Sequence, residues 1–470
     1  MTTSLELLLT TAFIAVVSAA LSALVGLPLG FWISRLPVRL ARFVAVIVTV
    51  PFLLPPFLIG IAVANWTDSF EINALTGMLM ILFSHTLMNA GFIARVVASK
   101  SLEQEQVEAA VLDGAGRWQI RRQIQIPQLL PSLASASLLV ALYSSTSYGL
   151  ILTLSAGTVE TLETEIALAA LRDLDLEKAG FLALLQTFLT LGLFFAAKQF
   201  AGVPTSMTEI SRSSIPAGKV TSITSLLFVA LIATLLTNVV SRANWGDGVF
   251  ANIENLTSRG TRSMLNISVI EAAGNSIRNA LVVLVISIPL AWVLSKKAAR
   301  LSPLLPAGLS PVVIGLVTLS LAGYLPRELT SSWILLPLIQ VLFALPIAYQ
   351  ILQPARSVIE REQVYAASLD GAGGFRTAWF IELPQLRKSV ATASAFAVLT
   401  SLGEFGAASF LAFGSNETLP IVMFQLAGRP GGDNYGMVMA SAAIYILLTA
   451  FILWLLTRPD RTERQDHPVA

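Results

Sequence analysis

Stretches of about 20 predominantly apolar residues recur along the whole chain, and they restrict its possible folds more than any other feature. An α-helix of this length can cross the hydrocarbon core of a bilayer. Of the 470 residues, 55% are hydrophobic and 12% are charged, whereas soluble globular chains carry about 25% charged residues. The alternating pattern of a membrane barrel is absent. The sequence therefore predicts an all-α polytopic membrane protein.

The apolar stretches predict about eleven transmembrane helices. We place them at about 5–33, 43–65, 76–97, 128–155, 178–198, 220–240, 271–295, 302–323, 332–353, 386–412 and 437–457. The first of these begins close to the N-terminus, which lacks the basic region of a cleavable signal peptide.

The distribution of Lys and Arg predicts the orientation of these helices. Basic residues concentrate in cytoplasmic loops. If the N-terminus lies outside, 22 of the 30 basic residues fall in inner segments, namely 34–42, 95–127, 198–219, 296–301, 354–388 and 458–470. The outer segments 65–73 and 158–166 are acidic instead. We therefore expect the N-terminus outside and the C-terminus in the cytoplasm.

A polar segment occurs twice in this apolar chain. Residues 105–127 read EQVEAAVLDGAGRWQIRRQIQIP, and residues 362–384 read EQVYAASLDGAGGFRTAWFIELP. The offset is constant without a gap, since 370 − 113 = 257 for the aspartates and 384 − 127 = 257 for the prolines. Both segments lie in predicted inner loops, so the duplication indicates that one cytoplasmic partner is bound twice.

The residues of this segment favour a short docking helix. Glu105 and Glu108 lie near its start, where negative charge favours the helix dipole. Ala109 and Ala110 give a small surface that another protein can approach closely. Gly114 and Gly116 then permit a tight turn, and Pro127 suits the first turn of the next helix.

The order of spans indicates two parallel repeats. The first, 1–200, has five spans with its polar loop at 99–127, and the second, 271–457, has a polar loop at 354–384. Five spans reverse the direction of the chain, so two such units joined directly would be inverted, as in many secondary transporters. The region 201–270 adds a linker, a span at 220–240 and an outer loop. That extra span restores a parallel arrangement, and 458–470 forms a cytoplasmic tail.

At these residues the chain resembles the permease subunits of binding-protein-dependent ABC importers of the type I fold. Their cytoplasmic loop carries the motif E-A-A-x-x-x-G-x9-I-x-L-P. Glu108, Ala109, Ala110, Gly114, Ile124 and Pro127 match the motif, with Ile126 in place of Leu. The second copy has Tyr365 where the family has Glu.

The resemblance implies that each polar loop is a coupling helix that enters a cleft on an ATP-binding subunit. The implied coupling residues are Glu105, Glu108, Ala109, Ala110, Asp113, Gly114 and Gly116 in the first loop, and Glu362, Ala366, Ala367, Asp370, Gly371 and Gly373 in the second. It also implies two copies of that subunit, an extracytoplasmic substrate-binding protein, and a multi-pass location in the bacterial cytoplasmic (inner) membrane.

The fusion of two permease domains in one chain resembles the iron(III) and thiamine branches of the family. Segments 149–186 and 400–426 are most similar to the thiamine permease, although fused members have six spans per half and the first half here lacks an opening helix. The expected substrate is thiamine, followed by iron(III), and then by sulfate, molybdate or phosphonate.

The sequence offers no means of hydrolysing ATP. No G-x-x-x-x-G-K-[ST] loop occurs, and the only Gly-Lys pair, Gly218-Lys219, is followed by Val220. We therefore expect a pore subunit without catalytic residues or bound cofactor. The net charge of +2 does not favour nucleic acid. One rival class is an ion-coupled secondary transporter, which would need inverted repeats. The other is a membrane-embedded enzyme, which would need clustered polar residues at membrane depth.

A few polar residues within the spans are candidates for the transport pathway. Ser147 and Glu404 occupy equivalent positions, since 404 − 147 = 257. A carboxylate inside a span is costly unless it faces water or a partner, so we expect Glu404 near the pore, where it would favour a cationic substrate. The alternative for Ser147 is a hydroxyl that hydrogen-bonds between helices. His85 and Asn89 favour an interhelical hydrogen bond, and we expect no metal site.

Overall fold

The computed structural model describes residues 3–67, 72–100, 104–200, 218–296, 302–324, 326, 333–357, 359, 363, 366–367, 369–429 and 431–456. The linker 201–217, the tail 458–470, Glu362 and Tyr365 lie outside the described residues, as does the side chain of Glu105. The regular elements of the described residues are all helical.

Within residues 4–200, the described part of the first repeat contains ten α-helices. They are α1 (Ser4–Ile33), α2 (Val38–Leu53), α3 (Pro56–Ala64), α4 (Ala74–Ser99), α5 (Gln104–Leu112), α6 (Arg117–Gln119), α7 (Ile126–Ser145), α8 (Tyr148–Leu154), α9 (Leu162–Ala167) and α10 (Leu176–Phe200). π-Helical turns occupy Ile120–Gln125 and Leu168–Arg172.

Two further helices, α11 (Lys219–Arg242) and α12 (Val249–Asn255), lead into the second repeat, residues 269–456. That repeat contains α13 (Val269–Ser295), α14 (Pro311–Leu321), α15 (Leu335–Ser357), α16 (Gly374–Thr377), α17 (Leu383–Gly403), α18 (Ala408–Leu411), α19 (Leu419–Ala427) and α20 (Gly432–Leu456). A 3-10 helix at Ser302–Gly308 precedes α14, and a π-helical turn at Ala378–Glu382 precedes α17.

Eight helices of the described residues are long and apolar enough to cross a membrane, and the bent pair α2–α3 adds a ninth. The other two predicted spans, 302–323 and 386–412, also contain helices. However, the apolar helix Pro311–Tyr324 is short, and the first two turns of α17 contain the charged residues Arg387 and Lys388. The chain is thus a polytopic all-α membrane protein.

Four predicted spans are not continuous α-helices, and one of them, 302–323, consists of the 3-10 helix Ser302–Gly308, α14 and a further 3-10 turn. Span 43–65 bends by 100° between α2 and α3. The cause is Pro55 and Pro56, because proline lacks an N–H and pushes the preceding residue into extended backbone, as seen at Leu54 (φ −75°, ψ 149°). Spans 128–155 and 386–412 are also interrupted, and their long helices end at Ser145 and Gly403. Apolar composition alone did not reveal these breaks.

Close contact between helices in the first repeat depends on glycine. A Cβ atom at Gly30 of α1 would lie 2.6 Å from the carbonyl oxygen of Ala94 in α4. A Cβ atom at Gly91 of α4 would lie 1.8 Å from the carbonyl oxygen of Val48 in α2. Small residues are the usual means by which membrane helices approach one another.

The two repeats have equivalent internal packing. α1 packs against α4 and α7, and α13 packs against α15 and α17. The amide of Leu162, in α9, donates to the Thr11 hydroxyl of α1 at 3.0 Å. The amide of Leu419, in α19, donates to the Ser276 hydroxyl of α13 at 2.9 Å.

The contacts between the repeats are reciprocal. The 3-10 helix Ser302–Gly308 and α14 pack on α10, the last helix of the first repeat, while α2 packs on α20, the last helix of the second. α11 also contacts both repeats. Its residue Arg242 donates to the carbonyl oxygen of Asn65 at 3.3 Å and to the hydroxyl of Tyr435 at 2.6 Å.

Candidate functional site: duplicated loops and a central cavity

The two duplicated loops form the same turn. In the first, the amide of Ala115 donates to the carbonyl of Ala110 at 3.0 Å, and Gly114 has φ +83°. In the second, the amide of Ala372 donates to the carbonyl of Ala367 at 2.9 Å, and Gly371 has φ +76°. Such six-residue bonds around a glycine of positive φ end helices in a Schellman-type turn. The shared residues Leu-Asp-Gly-Ala-Gly therefore form the same turn in both loops.

The alanine pair does not form one exposed surface, contrary to the sequence analysis. Ala110 is buried against Val107 and Ile120, and its equivalent Ala367 is also buried. Ala109, Glu108 and Asp113 lie on the exposed side, as do Ala366 and Asp370. The reason is that Val107, Ala110 and Ile120 pack together on one face of the helix, and Ala109, about 100° away from Ala110, lies outside that face. The buried alanine instead attaches α5 to the π-helical turn.

Exposed apolar side chains mark both loops, and these residues were missed in the sequence analysis. Leu112 and its equivalent Leu369 are each 87% exposed. Trp118 is 66% exposed and its equivalent Phe375 is 79% exposed. Exposed apolar groups beside charged ones are typical of protein–protein contact sites. The sequence does contain a signal for them, since apolar residues occur at equivalent positions of both polar loops: 369 − 112 and 375 − 118 equal the repeat offset of 257.

The second glycine of each loop has another role. Gly116 does not have positive φ, and its amide donates to the side-chain oxygen of Gln119 at 2.8 Å. Gly373 has φ −67° and precedes α16. Pro127 and Pro384 then lie in the first turns of α7 and α17, as predicted.

A cavity of about 290 Å³ lies between the two repeats. Both repeats contribute equivalent breaks between helices to its wall. At these breaks the cavity is lined by Leu142, Tyr143, Thr146, Ser147, Tyr148 and Gly149 of the first repeat, and by the equivalent residues Leu399, Thr400, Gly403, Glu404, Phe405 and Gly406 of the second. Further walls come from the α2–α3 bend, α4, the segment before α14, and α15. The predicted pathway residues Ser147 and Glu404 thus lie at one cavity.

The carboxylate of Glu404 is engaged by backbone amides. Its Oε1 accepts from Ala407 at 2.7 Å and its Oε2 from Ala408 at 3.1 Å, and the side chain is 7% exposed. It therefore stabilises the start of α18 as well as lining the cavity. Ser147 differs, because its hydroxyl is buried and has no hydrogen-bond partner among the described residues.

Two further polar residues of the cavity wall, both on α4, are hydrogen-bonded within the first repeat. His85 Nδ1 and the Ser18 hydroxyl of α1 are 2.9 Å apart, which gives the expected interhelical hydrogen bond. The amide group of Asn89 donates to the carbonyl of His85 at 2.8 Å. In the described part of the chain, no group of three His, Cys, Asp or Glu side chains could hold a metal ion.

An aromatic cluster of Phe57, Tyr148, Phe405 and Phe424 lies beside the cavity. Tyr148 and Phe405 are equivalent residues, and their rings stack with centroids 5.6 Å apart. Phe57 and Phe424 lie 5.5 and 5.2 Å from the Phe405 ring. Because equivalent residues touch only near a symmetry axis, the pseudo-two-fold axis passes between Tyr148 and Phe405. Helices α7 and α17 reach this cluster at the ends opposite to the duplicated loops.

Comparison with known proteins gives a consistent result. The family described as "Binding-protein-dependent transport system inner membrane component" matches residues 26–244 and again 267–465. The thiamine transport system permease protein of Escherichia coli (strain K12) is 25% identical over 411 residues, covering 83% of this chain and 74% of the relative. That of Brucella abortus (strain 2308) is 26% identical over 82% of this chain and 72% of the relative. A sulfate transport system permease protein of Synechococcus elongatus is 28% identical over 48% of this chain and 82% of its own length.

These matches cover both repeats and agree with the duplicated loop and the all-α membrane fold. The chain therefore belongs to the family of binding-protein-dependent transport system inner membrane components, and it is a permease of an ABC importer that carries the family's domain twice.

Proposed function

We propose that this permease imports thiamine. The observation that carries the proposal is its similarity along four-fifths of its length to relatives named as thiamine transport permeases. The composition of the cavity wall supports it. Six aromatic side chains line the cavity: Phe52, Tyr143, Tyr148, Phe343, Phe396 and Phe405. Thiamine is an aromatic cation, and aromatic faces attract both flat rings and positive charge.

The charge of the wall favours a cation over an oxyanion. Glu404 is the acidic residue of the wall, and no Lys or Arg occurs among the described residues that line it. Sulfate would need positive or amide donors, which Asn89 and Gln350 supply only in part. The sulfate permease of Synechococcus elongatus nevertheless makes sulfate the second candidate. Iron(III), which the sequence analysis placed second, becomes the third candidate, and the substrate test includes it.

The energy for transport comes from separate ATP-binding subunits, since the sequence lacks the glycine-rich phosphate loop. Two copies bind, one at each duplicated loop. Leu112 and Trp118 in the first loop, and Leu369 and Phe375 in the second, enter apolar clefts on these subunits. This agrees with their exposure and their equivalent positions. The present chain performs no chemistry.

The loops face the cytoplasm, the N-terminus lies outside, and an extracytoplasmic substrate-binding protein docks on the opposite surface. The distribution of basic residues supports this orientation. When ATP brings the two subunits together, the loops approach each other and the repeats rotate as rigid bodies about the axis between Tyr148 and Phe405. The cavity thereby opens alternately to the two sides.

The test is reconstitution of the chain in proteoliposomes with an ATP-binding subunit and a substrate-binding protein from the same organism. We expect uptake of labelled thiamine that requires ATP inside and binding protein outside, and that excess sulfate or iron(III) does not reduce. Uptake driven by an ion gradient without ATP would instead indicate a secondary transporter. ATP-dependent uptake of sulfate or iron(III) but not of thiamine would contradict the substrate assignment alone.

A further inference from the structure

In the second repeat, a buried ion pair lies where the chain reaches the loop side of the membrane. Arg356, at the end of α15, forms an ion pair with Glu382, the last residue of the π-helical turn. Its guanidinium carbon lies 5.1 Å from the ring centre of Trp292 in α13, and it donates to the Trp292 carbonyl at 3.3 Å. Both charged side chains are nearly buried, at 12% and 10% exposed. Such burial is tolerated because each charge has a partner.

The equivalent place in the first repeat contains an arginine without the acid. Arg121 lies with its guanidinium carbon 5.3 Å from the ring centre of Phe31. Phe31 is equivalent to Trp292, since Pro28 and Pro289 align these helices and 289 − 28 = 292 − 31 = 261. The position of Glu382 is taken by Gln125, since 382 − 125 = 257. Gln125 is fully buried, and its amide oxygen and nitrogen have no partner among the described residues.

A second arginine adds to the unbalanced charge. All three side-chain nitrogens of Arg35, which follows α1, are buried without a hydrogen-bond partner in the described part of the chain, as is Nε of Arg121. Burial, and to a smaller degree the charge of Arg121, lower the pKa of Arg35 to about 10. Buried polar groups are normally paired, and a cluster of unpaired ones requires an explanation, of which a bound ion is one.

We propose that Arg35, Arg121 and Gln125 form a binding site for a phosphate anion, which replaces in the first repeat the carboxylate that Glu382 supplies in the second. Two guanidinium groups and an amide donor match the several oxygens of a phosphate better than the single charge of a carboxylate. The amide of Gln125 can donate to a phosphate oxygen, whereas a glutamate there would repel it.

The position of the site accounts for the kind of anion. Arg35 lies two residues beyond Ile33, where the span α1 ends, and so at the membrane surface. On the adjacent helix α2, Leu40 and Phe43 are 45% and 61% exposed and Arg39 is exposed. Apolar side chains next to basic ones are typical of contact with an anionic lipid leaflet. A phospholipid headgroup and a free phosphate share the chemistry that the site recognises.

The test measures thermal unfolding of the full-length chain in dodecyl maltoside micelles, whose headgroups carry no phosphate, and in the same micelles with added phosphatidylglycerol. A third sample adds inorganic phosphate to the lipid-free micelles, with chloride at the same ionic strength as its reference. Gln125→Glu is the decisive variant, because it installs the acid of the second repeat. Arg122→Gln is the matched control, since Arg122 is the exposed neighbour of Arg121.

We expect an anion to raise the melting temperature of the wild type and of Arg122→Gln by about 2 °C or more. The anion should leave Gln125→Glu and Arg121→Gln unchanged. A rise with phosphatidylglycerol alone identifies a lipid headgroup, and a rise with inorganic phosphate identifies a soluble phosphate. If neither anion raises the melting temperature of the wild type, the proposal is overturned. That outcome includes the case in which a carboxylate of a partner protein fills the site. An equal rise in Gln125→Glu and wild type also overturns it.

Discussion

Replacing Gly114 with alanine tests whether the shape of the duplicated loop governs coupling. Gly114 has φ +83°, and a Cβ atom built there meets nothing within 4 Å. The substitution therefore causes no clash inside the chain, and its whole cost is backbone strain of about 1–2 kcal/mol for a left-handed L-residue. That cost corresponds to a factor of roughly 5–30 in an equilibrium.

The strain should weaken binding of the ATP-binding subunit rather than destabilise the folded permease. The loop is exposed, so in the free chain it can relax to negative φ, which moves Leu112 and breaks the bond from Ala115 to Ala110. Binding of the ATP-binding subunit must then restore the turn. We expect affinity for that subunit, measured by titration into nanodiscs, and binding-protein-stimulated ATP hydrolysis to fall by about 5- to 30-fold. The amount of permease in the membrane should be unchanged.

Two further variants keep this interpretation open to refutation. Gly116→Ala is the matched control, since Gly116 has no positive φ and its built Cβ lies 3.6 Å from Gln119 Oε1, an ordinary contact. Gly114→Asn should recover much of the affinity, because asparagine tolerates the left-handed region better than alanine. If Gly114→Ala and Gly116→Ala behave alike, or if asparagine is as harmful as alanine, the turn does not govern coupling.

Three other substitutions test separate parts of the structure. Leu112→Ser should abolish copurification of the ATP-binding subunit, yet change the free energy of unfolding by less than about 0.5 kcal/mol; retained copurification would contradict the docking role. Gly91→Ala places a methyl group 1.8 Å from the Val48 carbonyl and should destabilise the chain by about 1–3 kcal/mol in thermal unfolding. A Cβ atom built at Gly192 has nothing within 4 Å, so Gly192→Ala is the control and should not destabilise the chain. Glu404→Gln should lower the melting temperature, because a hydrogen bond from an amide to a charged acceptor contributes about 1.5–3 kcal/mol and Glu404 accepts two. The same substitution should reduce thiamine uptake. Unchanged uptake would exclude a role for the charge in transport.

The repeats and their loops were predictable from the sequence because the constraints on them are local. Membrane helices satisfy their own hydrogen bonds, so apolar length locates them, as for α1 and α11. The turn at Gly114 and Gly371 follows from a glycine at the same distance after the same helix. The coupling roles predicted for the loop residues remain predictions, and the side chains of Glu105 and Glu362 lie outside the described residues.

The breaks and buried contacts were not predictable because they depend on distant parts of the chain. The end of α7 at Ser145 is part of a cavity wall that only the second repeat completes. Ala110 is buried because Ile120 packs over it after the turn, which the alanine pair alone does not indicate. Likewise, the exposure of Leu112 in an otherwise membrane-buried chain becomes evident only when its neighbours are located.

The central claim is that both duplicated loops lie on the cytoplasmic side of the membrane and bind one kind of partner. The chain contains no cysteine, so Asp113→Cys and Asp370→Cys each introduce a unique thiol without further changes. Labelling with a membrane-impermeant maleimide should modify both variants in inside-out vesicles and neither in intact spheroplasts. Labelling of one variant in spheroplasts and of the other only in inside-out vesicles would place the loops on opposite sides and contradict the account.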